Sequence, residues 1–182
     1  MADAAAARQS SRTTIVAIIV SVFLMGAGMG LQGSAVSLRA GIEGFSSSVV
    51  GLIMSFNYVG LIIGSMLAPT IIRNVGYVRS FAAAASLGSA SAIAHLVWID
   101  VLPWLVFRAA TGLSLSVMFV VAESWLNSSS TSGNRGRLLS IYSVVYIVSM
   151  GAAQPLMGLF PPSSFEIFGI TTILLSFCLL PV

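Results

Sequence analysis

Long segments without charge are the feature that most restricts how this chain can fold. Four of them, at 13–38, 44–72, 80–99 and 138–165, contain no Asp, Glu, Lys or Arg. Each can provide the ~20 apolar residues that cross a bilayer as an α-helix. Only 7% of the 182 residues are charged, against about 25% in a soluble domain. We therefore expect an all-α membrane protein and exclude a water-soluble one.

Two further apolar segments complete a prediction of six transmembrane helices. One is interrupted only by Arg108 and Glu123, and the other begins near Ile167. The last span has room for a helix of only about 24 Å, shorter than the ~30 Å hydrocarbon core. We predict a tail at 1–13 and a six-helix domain at 14–182, with spans at about 15–38, 49–72, 81–99, 101–126, 138–160 and 167–182.

The arginines predict how these helices are oriented. Six arginines lie on one side of the membrane in this topology, and the connections on the other side contain only Arg39. Because cytoplasmic loops carry the excess of basic residues, the N-terminus and its tail are expected in the cytoplasm. The six are Arg8, Arg12, Arg73, Arg79, Arg135 and Arg137.

Several function classes are excluded by the same pattern. Six helices use nearly the whole chain, which leaves no surface for binding nucleic acid. The single cysteine, Cys178, has no disulfide partner, and His95 is on another span. These residues do not form a catalytic or zinc constellation. We expect no enzyme activity, no metal and no cofactor.

Arg108 is the clearest candidate for a functional residue. It lies seven residues inside the fourth span, about 10 Å below the outer boundary. A charge at the centre of a bilayer costs about 2.5–3.5 kcal/mol on insertion scales, so we expect Arg108 to face a water-filled cavity or a substrate. The alternative is a structural arginine that is satisfied by carbonyls and lipid headgroups.

Other polar side chains reach the same depth. Gln32, Asn57 and Gln154 fall about 9 to 12 Å below the outer boundary, on three different helices. Together with Arg108 they have the composition of a polar substrate site between helices. Each amide is equally compatible with an interhelical hydrogen bond that helps packing. Tyr146, on the inner half of the fifth span, either lines the same cavity or packs, and His95 is more typical of an interfacial residue.

Glu123 has a different predicted role. It lies three residues from the cytoplasmic end of the fourth span, at a depth close to Arg73, Arg79 and Arg137. An ion pair that serves as a gate or as a structural contact is the preferred interpretation, and a proton-carrying role is the alternative.

The arrangement resembles the N-terminal six-helix half of a major facilitator superfamily transporter over essentially the whole chain. FRAATGLSLS at 107–116 matches the RxxxG pattern of the fourth helix at Arg108 and Gly112. GSMLAPTIIRNVGYVR at 64–79 occupies the place of the signature loop, with Arg73 at the usual aspartate position. The fifth helix keeps Pro155, where we expect a bend. VVAESWLNSSSTSGNRGRLLSIYSVVYIV at 120–148 is similar to the YcaD-like branch of transporters.

The resemblance implies a fold and a function. It implies a 3+3 inverted repeat in a multi-pass protein of the bacterial inner membrane, with Gln32 and Arg108 lining a central cavity. It also implies that helices two and five, with Gly60, Gly64, Gly151 and Gly158, face a second six-helix half in the same or another chain.

We expect a secondary transporter, or half of one, that moves a small solute by alternating access. The arginine favours an anionic or zwitterionic solute, and the sequence leaves proton coupling open. The alternative is a truncated, non-transporting membrane protein that acts as an assembly partner or contacts membrane lipid.

The orientation can be tested by labelling. A cysteine introduced in the loop 127–137 should resist impermeant thiol reagents in intact cells, and one in the loop 39–47 should react, because the arginine asymmetry places these loops on opposite sides. Labelling with the reverse pattern contradicts the predicted topology.

Overall fold

A computed structural model of the chain describes residues 2–161 and 164–181, with side chains from residue 13 onward. This part of the chain contains helices and turns but no strand. Met1, the first residue of the predicted tail, and Val182, the last residue of the sixth predicted span, lie outside the described residues. The helices are α1 (Ala2–Ile42), α2 (Ser47–Val75), α3 (Tyr77–Val97), α4 (Val101–Ser128), α5 (Arg135–Ala152), a 3-10 helix (Gln154–Gly158) and α6 (Glu166–Phe177).

The predicted all-helical membrane architecture is confirmed, although the number of spans is not. Five helical segments in the described residues are long and apolar enough to cross a bilayer, beginning with Thr13–Ile42 in α1. The α6 helix is apolar but has only 12 residues, which corresponds to about 18 Å. The sixth span therefore stays a prediction.

Short turns between helices follow from individual residues. Gly76 adopts a φ of 84°, which favours glycine, and it separates α2 from α3 within one residue. Asp100 begins α4, because its side chain accepts a hydrogen bond of 2.6 Å from the backbone N–H of Val101. The expected bend at Pro155 is confirmed as a break, since α5 ends at Ala152 and a 3-10 helix follows.

The helices pack in an order that differs from their order in the chain. Extensive contacts join α2 to α4, α4 to α3, α3 to α6, α6 to α1, and α1 to α5. Apart from α3 and α4, helices that follow each other in the chain touch only weakly, as α1 and α2 do. The pairs are symmetric: if α1 is swapped with α4, α2 with α5 and α3 with α6, the same set of contacting pairs results.

The α2 and α4 helices approach until their backbones touch. A Cβ atom added to Gly60 would overlap the carbonyl oxygen of Ala109, and one added to Gly112 would overlap the carbonyl oxygen of Asn57. Small residues permit this approach in membranes, where packing rather than hydrophobicity holds helices together. The prediction that Gly60 and Gly64 face a second half is therefore wrong, because both are buried against α4. Their spacing showed a close contact but not which helix makes it.

A second glycine contact joins α1 to α5. A Cβ atom at Gly26 would collide with Ser149, and one at Gly30 would lie 2.8 Å from the carbonyl oxygen of Met150. By contrast, a Cβ atom at Gly151 would meet nothing within 4 Å in the described part of the chain. The two close pairs, α2 with α4 and α1 with α5, correspond to each other under the exchange of the two helix triplets.

The α2–α4 contact can be tested with a matched pair of substitutions. Gly112→Leu should lower the free energy of unfolding in detergent by about 3 kcal/mol, because the carbonyl of Asn57 cannot move aside without separating the helices. Gly151→Leu, in open space, should change it by less than about 0.5 kcal/mol. Equal effects of the two substitutions on unfolding would contradict the described packing.

Candidate functional site

Arg108 is buried in the N-terminal half of α4, with 5% of its surface exposed. Its Nε atom is buried without a hydrogen-bond partner. Among the described residues, no hydrogen bond or ion pair reaches Arg108, and the only ion pair joins Arg39 to Glu43. A buried guanidinium usually has a carboxylate or several carbonyls as partners. Arg108 therefore has unused capacity to bind an anionic group.

Gln32 brings α1 to the same region of α4. Its Nε2 atom donates a hydrogen bond of 3.0 Å to Thr111 Oγ1, and both residues are buried. Thr111 lies three residues beyond Arg108, so it is on a neighbouring part of the same helix surface. The Oε1 atom of Gln32 is buried and has no partner. The amide thus joins two helices and keeps one acceptor unused.

The side-chain amides of Asn57 and Gln154 differ in their hydrogen bonds. Asn57 lies at the α2–α4 contact, and its Oδ1 atom is buried without a partner. Gln154 accepts a 2.8 Å hydrogen bond from Ser34 Oγ and donates one of 3.1 Å to the carbonyl of Met150. The structure therefore links Gln154, at the start of the 3-10 helix, to α1 and to the end of α5 rather than to Arg108.

His95 is a candidate that sequence reasoning assigned to the interface and that the structure buries completely. Its ring lies between Trp104 and Phe107, with centroid distances of 5.3 and 5.4 Å. The Nδ1 atom is 2.6 Å from the carbonyl oxygen of Ser91, so this nitrogen carries the hydrogen. Nε2 is buried without a partner. The sequence did contain a signal for this contact. Because α3 and α4 form a hairpin, residues at similar distances before and after its turn lie side by side, and His95 and Trp104 are such a pair.

Tyr146 and Glu123 belong to a different place. They line a cavity of about 480 Å³ between α2, α4 and α5, which we call the aromatic cavity; it is lined by Leu61, Ser116, Phe119, Val120, Glu123, Tyr142, Ser143, Tyr146 and Ile147. Glu123 is fifteen residues from Arg108 on α4, or about 22 Å along the helix. The structure therefore separates Tyr146 from the polar residues around Arg108.

Glu123 is exposed to this cavity and has no ion pair in the part of the chain that the structure describes. Arg73, Arg79 and Arg137 are also exposed. The gating or structural pairing of these four residues stays a prediction. No group of three or more metal-ligating side chains (His, Cys, Asp or Glu) occurs within the described ranges.

The chain is similar to Escherichia coli proteins named "Uncharacterized MFS-type transporter YcaD". Those of strains S88, ED1a and E24377A are each 29% identical to it over 144 residues. The match covers 79% of this chain and 38% of each relative, so the chain spans less than two fifths of their length. No family model and no solved structure matches the chain.

These findings confirm the resemblance to transporters of the major facilitator type. With five helices long and apolar enough to span a bilayer, the chain is an integral, multi-pass membrane protein. The relatives support a bacterial inner membrane as its location, and they are named as transporters rather than enzymes.

Because Arg108 is buried without a hydrogen-bond partner, replacing it is expected to change the free energy of unfolding. Arg108→Met should raise the free energy of unfolding in detergent by about 1 to 2 kcal/mol, because an unpaired buried charge is replaced by an apolar chain of similar length. Arg135→Met, at an exposed arginine outside the bundle core, should change it by less than about 0.5 kcal/mol. A clear loss of stability in Arg108→Met would instead identify a structural arginine.

Proposed function

We propose that this chain forms the N-terminal half of a secondary transporter that moves a small solute by alternating access. The observation that most supports this proposal is that Arg108 is buried without a partner in a chain similar to transporters. A charge of this kind inside a membrane bundle is usually retained for a substrate or ion pathway. The first three helices and the last three have corresponding contacts, and this correspondence supports a 3+3 inverted repeat, which is common in transporters.

The proposed topology has six spans and a cytoplasmic N-terminus, with the six-helix domain at 14–182. The arginines at the helix ends beside the turns that follow α2 and α4 support this orientation; they are Arg73, Arg79, Arg135 and Arg137. The short α6 would cross with help from the residues after Phe177, or by local thinning of the bilayer.

The proposed solute is anionic or zwitterionic. Arg108 would bind its negative group with the planar, forked geometry that suits carboxylate and phosphate. Gln32 and Asn57 each keep a buried, unused carbonyl oxygen that can accept from N–H or O–H groups of the solute. Gln154 and Tyr146 would complete the solute pathway, and proton coupling is compatible with this scheme.

The proposal includes a second six-helix half, in the same chain or in another. Apolar side chains on α2 and α5 support it, since Met66 is 74% and Ile147 is 67% exposed. In the complete transporter, Glu123 would pair with Arg73, Arg79 or Arg137 as a gate or as a structural contact.

Solute binding can be measured by thermal stabilisation of the purified chain. Among small carboxylates, phosphates and amino acids, at least one should raise the melting temperature, and its uncharged amide or ester analogue should not. Arg108→Lys should weaken the apparent affinity about tenfold or more, because the fork is lost although the charge remains.

Arg135→Lys is the matched control and should bind like the unmodified chain, since Arg135 is exposed and outside the proposed site. Unchanged binding in both Arg108→Lys and Arg108→Gln would remove Arg108 from the solute site.

A further inference from the structure

We infer that Thr111 is a positioning residue, which holds the side-chain amide of Gln32 so that its carbonyl oxygen, and not its NH2 group, is left to meet the solute. The solute that this arrangement selects carries a hydrogen-bond donor beside its anionic group, as an α-amino or α-hydroxy acid does. The inference rests on the proposed function, because it concerns the solute site that contains Arg108. It adds one residue and one rule of selection to that site.

The hydroxyl group of Thr111 determines which atom of Gln32 it can bind. Its Oγ1 atom donates a hydrogen bond of 2.9 Å to the backbone carbonyl oxygen of Phe107, one turn earlier in α4. A carbonyl oxygen can only accept, so this bond uses the single hydrogen of the hydroxyl. Towards any other neighbour, Oγ1 can therefore only accept. The Gln32 atom that lies 3.0 Å from it must be the nitrogen of the amide.

This pair of bonds also determines which end of the Gln32 amide stays free. If the amide were turned over, its Oε1 atom would face Oγ1, and two acceptors with no hydrogen between them repel each other. In the structure Nε2 is bonded and Oε1 is buried without a partner. Gln32 and Thr111 are 0% and 2% exposed, so bulk water does not offer the amide an alternative partner.

The free oxygen of Gln32 lies in the same region as Arg108. Thr111 and Arg108 are three residues apart on α4, so they are neighbours on the helix surface, with Cβ atoms about 5–6 Å apart. Arg108 brings a positive charge and an unpartnered Nε donor, and Gln32 brings an unpartnered acceptor. The region therefore offers both kinds of hydrogen-bonding group to a solute.

These two groups together favour one class of anion. A carboxylate with a nearby N–H or O–H group can bind Arg108 and donate to Gln32 at the same time. A carboxylate without that donor leaves the buried oxygen unpaired, and one with an acceptor in its place sets two acceptors against each other. A site built to bind a donor rejects the analogue that lacks it.

The rule of selection can be tested with pairs of acids that differ in the donor. The pairs are L-lactate with propionate, L-malate with succinate, and L-leucine with 4-methylpentanoate, and the hydroxy acids keep the charge unchanged within a pair. Apparent affinities are obtained from the melting temperature of the full chain in a neutral detergent. In at least one pair, the acid with the donor should bind at least about tenfold more tightly. A smaller preference in every pair, or no binding by any pair, overturns the inference.

Substitutions then assign the preference to the hydroxyl of Thr111. Thr111→Val keeps the shape but lets the Gln32 amide turn over, so the preference should fall by about threefold or more. Thr111→Ser keeps the hydroxyl and should restore the preference. Thr172→Val is the matched control, because Thr172 donates a bond of the same kind, 2.8 Å to the carbonyl of Phe168, and is not a hydrogen-bond partner of Gln32. It should keep the preference.

A purely structural role for Thr111 gives a different result. Loss of packing in Thr111→Val would weaken both acids of a pair equally and leave their ratio unchanged, and that outcome overturns the inference. If Thr111→Val does not fold, Gln32→Met decides, because it removes the free oxygen and keeps a side chain of similar length. The preference should then be lost, and a preserved preference contradicts the assignment.

Failure of this inference and failure of the proposed function can be told apart. If acids without a donor bind equally well and Arg108→Lys still weakens them, the anion site stands and the role of Thr111 is wrong. If the preference depends on Thr111 but Arg108→Lys changes no affinity, the role of Thr111 is confirmed and Arg108 is removed from the solute site.

Discussion

The backbone contact between α2 and α4 is the constraint on which the rest of the bundle depends. Lipid is as apolar as the helix surfaces, so helices associate in a membrane where small residues let them pack closely. Gly60 and Gly112 provide that fit, each against a carbonyl of the facing helix. The contact fixes the rotation of α4, and with it the directions in which Arg108 and Glu123 point.

The sequence predicted the helices well, because a charge-free segment of sufficient length has few alternatives to a helix in a membrane. It did not predict which helices pair. A row such as Gly60 and Gly64 shows that some backbone comes close, but α4 is separated from it by α3 in the chain and cannot be identified by spacing. The break before Pro155 was predictable, since proline lacks the N–H that an α-helix needs.

The sequence could predict the membrane depth of each candidate side chain, but not the side of the helix on which that side chain lies. Counting residues placed Gln32 level with Arg108, and the structure does bring Gln32 to Thr111 on the same helix. The same counting could not show that the Gln154 side chain turns towards Ser34, or that Tyr146 lines the cavity beside Glu123. His95 was assigned to the interface because it lies four residues from the outer end of the third predicted span, and its packing against Trp104 could not be seen from that position.

The pairing order also has a consequence for how the protein is made. Helices enter the membrane in the order of synthesis, yet α2 finds its main partner only when α4 arrives, and α1 only when α5 and α6 arrive. No extensive pair can close before α4 is made, because α4 is needed for both the α2–α4 and the α3–α4 contacts. Until residue 111 follows, the Nε2 donor of Gln32 has no partner on α4. This bond between the two helices therefore forms only after 79 further residues have been synthesised, so it joins the ends of a long loop and belongs to the later, non-local part of folding.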